Sequence, residues 1–472
     1  MLKSKEPSHH NMNILVVGTG FVGATHAAVM AHTGHKVLAY DIDSQKIDAF
    51  NSRDAQAIDS QIYERGLAKL IQDHKSNLSF TSKLADVTSI RDQLDAIFLC
   101  LPTPAQELEK PFDERYLARA AYSIEPILSL RSKTKQENRL IILNKSTVPI
   151  GTAKTLEDRL RERGLDNFAV GSNPEFLVEG KAVQGSLNPD RIVVGLRDEK
   201  DIEKAKRIYK NHEGKIITMS PESAESVKLL ANFELYSRIV QTYHVAGRLC
   251  ESNPNLNYED IIAGVTADAR IPKWGHYLSL YAGGSCFDKD ARNLLKTIEE
   301  CAASEHAQNF INTTIEGNKA QLKRLYHRAK ETGFNFKGKT VALMGTAFKC
   351  NTNDVRMSPA IPLTKWLIRD GAFVLAYDPQ ASNNYLKAFE GAPESAYLSK
   401  CSKKEALELS DCTIICTEWP EFKFLAEDIR ENCKTPYLIL DGRRAIAKEY
   451  ENLSREGYSI IAVGAPQMGP CF

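Results

Sequence analysis

The chain of 472 residues carries 61 Lys+Arg against 60 Asp+Glu, a formal charge of +1, with 43% hydrophobic and 26% charged residues. This length exceeds what one core holds, and this balance excludes a largely disordered chain and a globally polybasic binder of nucleic acid or membrane surface. No apolar run approaches the roughly 18 residues of a membrane span, and ten scattered cysteines without a C-x-x-C pair argue against a zinc or dithiol site and for reduced thiols in the cytoplasm.

Residues 1–12 are polar and predict a disordered extension rather than a secretory signal. From Asn13 the order is strand, glycine turn, helix, strand, acid. Ile14–Val17 leads into Gly18-Thr19-Gly20-Phe21-Val22-Gly23, an Ala-rich helix runs from Ala24 to His32 and stops at Gly34, and Val37–Tyr40 ends at Asp41. In such a turn Gly18 permits the tight bend, Gly20 the approach of a pyrophosphate and Gly23 close strand–helix packing, with the helix N-terminus toward the phosphates. A carboxylate at Asp41 suits adenosine ribose hydroxyls and repels a 2′-phosphate, so the expected cofactor is NAD rather than NADP. Asp43 and Lys46 are near in sequence and read equally as surface charges.

Further strands are predicted at Ala96–Leu101, Leu140–Asn144, Phe168–Gly171 and Arg191–Gly195. Over 221–332 helical periodicity dominates; a long helix starts near Glu222, with Val227, Leu230, Ala231, Leu235 and Ile239 near i, i+3, i+4 spacing. The opening grammar then repeats. Thr340–Met344 runs into Gly345-Thr346-Ala347-Phe348-Lys349, a helix covers Ile361–Arg369 up to Gly371, and Phe373–Tyr377 ends at Asp378. Both second strands close on Val-Leu-Ala-Tyr-Asp, and strands at Cys412–Cys416, Tyr437–Leu440 and Tyr458–Val463 fill out this half. The expected architecture is α/β: two doubly wound Rossmann-type domains, 13–220 and 333–472, joined by a central helical region, 221–332, suited to dimer contacts.

The second turn keeps one glycine and adds Lys349, which favours a nucleotide's pyrophosphate held by point charge over a second full dinucleotide. Arg356 and Arg443 are further candidates for phosphate or base, although an isolated arginine is more often a surface charge. Cys286 follows Gly283-Gly284-Ser285 and can sit on a bare loop open to a substrate carbon, with Asp290 one turn on if a helix begins there. Alone, a cysteine is more often a small buried hydrophobe.

Lys145-Ser146-Thr147-Val148-Pro149-Ile150-Gly151-Thr152 resembles the KSTVPxGT signature of the nucleotide-sugar dehydrogenases that oxidise UDP-glucose or GDP-mannose. Asn173-Pro174-Glu175-Phe176-Leu177 with Glu179-Gly180, Asn188-Pro189-Asp190-Arg191, and Ser223-Ala224-Glu225 with Lys228 and Asn232 match the same family. So do Asp268-Ala269-Arg270-Ile271, the Gly-Gly-Ser-Cys-Phe loop, Ala347-Phe348-Lys349, Ser358-Pro359-Ala360, Tyr377-Asp378-Pro379, Thr417-Glu418-Trp419 and Asp441-Gly442-Arg443-Arg444. The matches run from about residue 13 to about 465 in family order.

The resemblance implies oxidation of a sugar primary alcohol to a carboxylate with two NAD and no released aldehyde. It makes Cys286 the nucleophile of a thiohemiacetal and thioester, with Lys228 as the cation that helps keep it ionised. Lys228 and Asn232, one helical turn apart, correspond to the oxyanion pair. Asp290 corresponds to the carboxylate that manages protons through water, Thr147 to the residue holding that water, and Glu175 to the one assisting thioester hydrolysis. Implied cofactor contacts are Gly18, Gly20, Phe21, Val22, Gly23, Asp41, Lys46, Thr103, Thr147, Glu179, Lys289 and Arg356. Implied substrate contacts are Glu175, Phe176, Leu177, Glu179, Lys228, Asn232, Tyr277, Gly283, Lys349 and Arg443, with Arg270 reaching the neighbouring subunit of a homodimer or larger homo-oligomer.

Three places depart from the family: Ser279-Leu280-Tyr281-Ala282 replaces a Gly-x-Gly-aromatic lead-in, Tyr243-His244 replaces Asn-Glu, and Asp288 replaces proline or glutamine. Losing two glycines restricts positive φ in that loop. Asn188–Arg191 and Asp441–Arg444 resemble the UDP-glucose members more than the GDP-mannose ones; GDP-mannose and a UDP-N-acetylhexosamine stay open as substrates. A catalytically idle nucleotide-sugar-binding homologue and a two-electron hydroxy-acid-type dehydrogenase are the competing classes.

Overall fold

The computed structural model describes residues 11–103, 115–132, 138–284, 286–301 and 304–472. The expected extension over residues 1–12 falls mostly outside these; Met12, which it included, is buried and its N–H donates to His35 Nδ1 at 3.2 Å. The chain divides into two compact units, Met1–Ala231 with Arg292–Cys301, and Asn232–Ala291 with Ala302–Phe472.

The first unit is built on an eight-stranded sheet of β1 (Asn13–Val17), β2 (Lys36–Tyr40), β3 (Leu78–Thr81), β4 (Ala96–Leu99), β5 (Leu140–Asn144), β6 (Phe168–Ser172), β7 (Arg191–Gly195) and β8 (Lys215–Met219). Their order is β3-β2-β1-β4-β5-β6-β7-β8, parallel except between β6 and β7. Alternate residues of β1 feed two cores: Ile14 and Val16 pack on one face of the sheet, Leu15 and Val17 on the other. Burial on both faces is why these strands read as continuous apolar runs.

The second unit has six parallel strands in the order β11-β10-β9-β12-β13-β14, with β9 Thr340–Met344, β10 Phe373–Tyr377, β11 Leu398–Lys400, β12 Cys412–Ile415, β13 Leu438–Asp441 and β14 Ser459–Ala462. Both sheets are doubly wound Rossmann-type sheets, joined by a long helical region. The helix Pro221–Thr242 continues through a π-helical turn, Tyr243–Gly247, into Arg248–Ser252. Three strands absent from the sequence reading, β3, β8 and β11, are all sheet edges.

The long helix starts where the sequence places it, at Pro221. Its buried stripe is Ala224, Glu225, Lys228, Leu229, Asn232, Tyr236 and Ile239, whereas Leu230 is 55% exposed. Of the residues at helical spacing Ile239 joins this buried face, which spends several of its other positions on polar side chains.

Candidate active site

In the first unit, Gly18 has φ +91°, and a Cβ there would sit 2.5 Å from Cys100 O. A Cβ on Gly23 would collide with Gly18 O at 1.9 Å, whereas one on Gly20 would meet nothing within 4 Å. Two glycines thus close the turn and the third leaves its outer face open. The helix Phe21–His32 begins here without a side-chain cap, so the N–H groups of Phe21, Val22 and Gly23 have no intrahelical acceptor. Asp41 Oδ2 accepts from Thr19 N at 2.7 Å and Thr19 Oγ1 at 2.9 Å, and Oδ1 from Asp43 N at 3.1 Å. Lys46 Nζ stands 3.4 Å from Asp41. Partial burial pushes the Asp41 carboxyl upward, but these hydrogen bonds and the lysine charge outweigh it and hold its pKa below the ordinary value.

Thr103 follows β4 and is half-buried, and Thr147 is buried in the loop after β5. That loop is anchored by Lys145, whose Nζ donates to Asn173 Oδ1 at 3.0 Å and whose pKa burial brings down to about 8. After β6, Glu175 Oε2 accepts from Leu177 N at 2.6 Å, while Oε1 pairs with Lys228 Nζ at 3.0 Å. Phe176 lies under the guanidinium of Arg191, 3.8 Å from the ring centre, with Lys228 at 5.5 Å. Glu175, Phe176, Leu177 and Lys145 line a pocket of about 350 Å³; Glu179 is half-buried on the same segment. Lys228 is not a solvated helix lysine: it is 5% exposed and ion-paired.

In the second unit, Cys286 is half-buried and immediately precedes the helix Phe287–Glu300; its carbonyl accepts from Asp290 N at 2.8 Å. The helix N-terminus therefore supplies local positive potential for a thiolate. Asp290 is fully buried and held from both sides, by Asn232 Nδ2 at 2.6 Å and Lys289 Nζ at 2.5 Å. Tyr236 stacks on Phe287 with ring centres 5.7 Å apart, so Asn232 and Tyr236, one turn apart, both dock on the start of the cysteine helix.

The loop before Cys286 rests on the second glycine turn. A Cβ on Gly283 would lie 2.6 Å from Met357 O, and one on Gly284, at φ +88°, 2.9 Å from the Phe348 ring. Lys349 is half-buried beside that ring. Arg443 is largely buried: Nε donates to Cys416 O at 2.8 Å, Nη2 to Phe348 O at 2.9 Å, and Glu418 lies at 3.1 Å. Three predicted substrate residues, Gly283, Lys349 and Arg443, thus converge on Phe348. Tyr277 is partly exposed against Trp274. Arg356 and Arg270 stay at the surface, paired with Asp354 and Asp268; the Arg270 side chain is 88% exposed.

Residues 12–213 match the model of the UDP-glucose/GDP-mannose dehydrogenase family NAD binding domain, 222–320 its central domain and 342–448 its UDP binding domain. A UDP-glucose 6-dehydrogenase of Pseudomonas aeruginosa is 31% identical, covering 98% of this chain and 99% of that one. The chain belongs to the UDP-glucose/GDP-mannose dehydrogenase family. A UDP-glucose dehydrogenase from Pyrobaculum islandicum has the same fold, with a TM-score of 0.82 at 27% identity over 94% of this chain and 96% of that one. A UDP-D-ManNAc dehydrogenase from Pyrococcus horikoshii shares the fold at a TM-score of 0.78 and 23% identity, over 96% and 99% of the two chains. The protein is thus an NAD-dependent nucleotide-sugar dehydrogenase of this family, and the open face at Gly20, the uncapped helix and the Asp41 carboxylate fit NAD. Among the described residues no helix is long and apolar enough to cross a membrane.

Two of the three departures from the family pattern meet each other. Tyr243 OH bonds Ser279 Oγ, His244 Nε2 contacts Gly317 O at 2.8 Å, and Leu280 packs against the Cα of Gly442. Asn318 and Gln321 bond the backbone of Ala282 and Ser279, and no residue from 279 to 282 takes a positive φ. Losing the two glycines therefore leaves no strained backbone. Sequence reasoning gave no role to Lys145, Arg191 or the buried Glu64 and Glu225. Of these, Glu225 carried a signal, standing one turn before Lys228 on the same helix.

Proposed function

We propose that this dehydrogenase oxidises C6 of UDP-glucose to the carboxylate of UDP-glucuronate, four electrons in all, in the cytoplasm and as a homodimer or larger homo-oligomer. The observation that carries the reading is Cys286, half-buried at the start of a helix whose Asp290 is gripped by Asn232 and Lys289. Full-length similarity to a UDP-glucose 6-dehydrogenase supports the choice of sugar.

Bound NAD supplies the hydride acceptor for both oxidations. The chain's part begins with Asp290, which takes the C6 hydroxyl proton through a water held by Thr147. The Cys286 thiolate then adds to the aldehyde carbon, and the oxygen that becomes an alkoxide is stabilised by Lys228 and Asn232. After the second oxidation Cys286 carries a thioester. Glu175 assists attack of water on that carbon, and the thiolate leaves as the carboxylate forms. Gly18, Gly20, Phe21, Val22, Gly23, Asp41, Lys46, Thr103, Glu179, Lys289 and Arg356 hold the cofactor; Phe176, Leu177, Tyr277, Gly283, Lys349 and Arg443 hold the nucleotide sugar. Exposed Val245 and Leu249, one turn apart, are apolar surface suited to a second copy. From that copy Arg270 would reach the substrate.

The test is NADH production with UDP-glucose, GDP-mannose and UDP-N-acetylhexosamines in turn. Turnover of GDP-mannose or an N-acetylhexosamine with none of UDP-glucose overturns the substrate assignment. Cys286→Ser should lower kcat by about a thousandfold and leave NAD affinity intact; normal turnover would remove covalent catalysis.

A further inference from the structure

Two buried glutamates of the first unit make the same unusual grip. Glu225 accepts from the N–H of Gly151 at 2.6 Å and of Ala153 at 2.8 Å; Glu64 accepts from Gly180 at 2.8 Å and Ala182 at 2.7 Å. Both glycines have positive φ, +91° and +83°, and both sit where a loop turns into a helix, Thr152–Glu162 and Ala182–Leu187. Helix starts are ordinarily capped by a neighbouring Ser, Thr, Asp or Asn. Here the local positions are Gly151 and Lys181, neither makes a side-chain cap, and the acceptor comes from far along the chain.

The two loops so held are the ones bearing Thr147 and Glu175. Glu225 stands one turn before Lys228 on the long helix, and Lys228 pairs with Glu175 at 3.0 Å. The links therefore run in one line: the Thr147 loop, Glu225, Lys228, Glu175, the Gly180 turn, Glu64. Burial pushes the Glu225 carboxyl up to about 7, against the pull of the two N–H bonds. Keeping a carboxylate at this place is costly, and a neutral local cap would satisfy a helix start at less expense.

We propose that Glu225 and Glu64 are positioning residues that fix the Thr147 and Glu175 loops in register with Lys228. The inference rests on the nucleotide-sugar oxidation described above. Glutamine keeps the shape but turns an amide N–H toward one of the two donors. In the full chain, Glu225→Gln and Glu64→Gln should each lower kcat at least tenfold with KM for NAD within twofold of the parent. Loss of thermal stability with kcat per folded molecule within twofold would overturn the proposal. Hydrogen exchange on the unaltered protein gives a second test: the amides of Gly151, Ala153, Gly180 and Ala182 should be protected like the central strands, and fast exchange would overturn it. That measurement needs no turnover, so it separates failure of the clasps from failure of the functional reading.

Discussion

Gly18 and Gly345 hold equivalent places in the two units: each N–H donates to the tyrosine carbonyl that ends the adjacent strand, Tyr40 at 2.8 Å and Tyr377 at 2.7 Å. The acid that follows each tyrosine then binds back to its turn. Asp378 accepts from five donors, the N–H groups of Thr346, Ala347, Gln380 and Ala381 and the indole of Trp419, and it is buried. Asp41 accepts from Thr19 N, Thr19 Oγ1, Asp43 N and Lys46 Nζ, but only one of these reaches Oδ1, and the side chain stays partly open. One acid is consumed in folding and the other keeps room for a ligand hydroxyl. On the function proposed above, nucleotide recognition in the second unit falls to side chains, Lys349 and Arg443. The same five-residue signature has been put to two uses, which its letters alone do not reveal.

The contrast can be broken by substitution. Asp378→Ala should destabilise the second unit most, by about 3–5 kcal/mol, because several buried donors lose a charged partner at once. Asp41→Ala should cost at most about 1 kcal/mol of stability while raising the Kd for NAD roughly tenfold, about 1.4 kcal/mol, with KM for the nucleotide sugar unmoved. Equal losses of stability in chemical denaturation would erase the distinction. Within the first turn, Gly23→Ala should cost about 2–3 kcal/mol through its clash with Gly18 O. Gly20→Ala should leave stability within about 0.5 kcal/mol and weaken only NAD; unchanged NAD affinity would show that the open face is not the cofactor's.

In the second unit, Arg443→Lys should raise KM for the nucleotide sugar about tenfold and spare NAD, since a lysine cannot reproduce the two carbonyl bonds that orient the guanidinium. The smallest effect is expected at the coupled departures. Tyr243→Phe, which removes the bond to Ser279, should cost about 1 kcal/mol of stability with little change in kcat.

Much of the fold was legible because central parallel strands are buried on both faces and read as unbroken apolar runs. The edges were not. In β8, Lys215–Met219, no residue is fully buried, and β11 is three residues with two exposed, so neither is the buried apolar run that marks a central strand. The start of the long helix was legible but its buried face was not, since that stripe carries Glu225, Lys228 and Asn232. At the site, local motifs such as the glycine turns and Gly283–Cys286 could be read. The partners that arrive from far along the chain, Asn232 on Asp290 and Glu64 on Gly180, could not.

The most direct measurement of the central claim, that Cys286 holds the half-oxidised sugar until a second NAD is used, is the yield of NADH from limiting UDP-glucose run to completion. Two NADH per sugar, with no aldehyde trapped by an added amine, is the predicted result. One NADH per sugar, or an aldehyde free in solution, would contradict it.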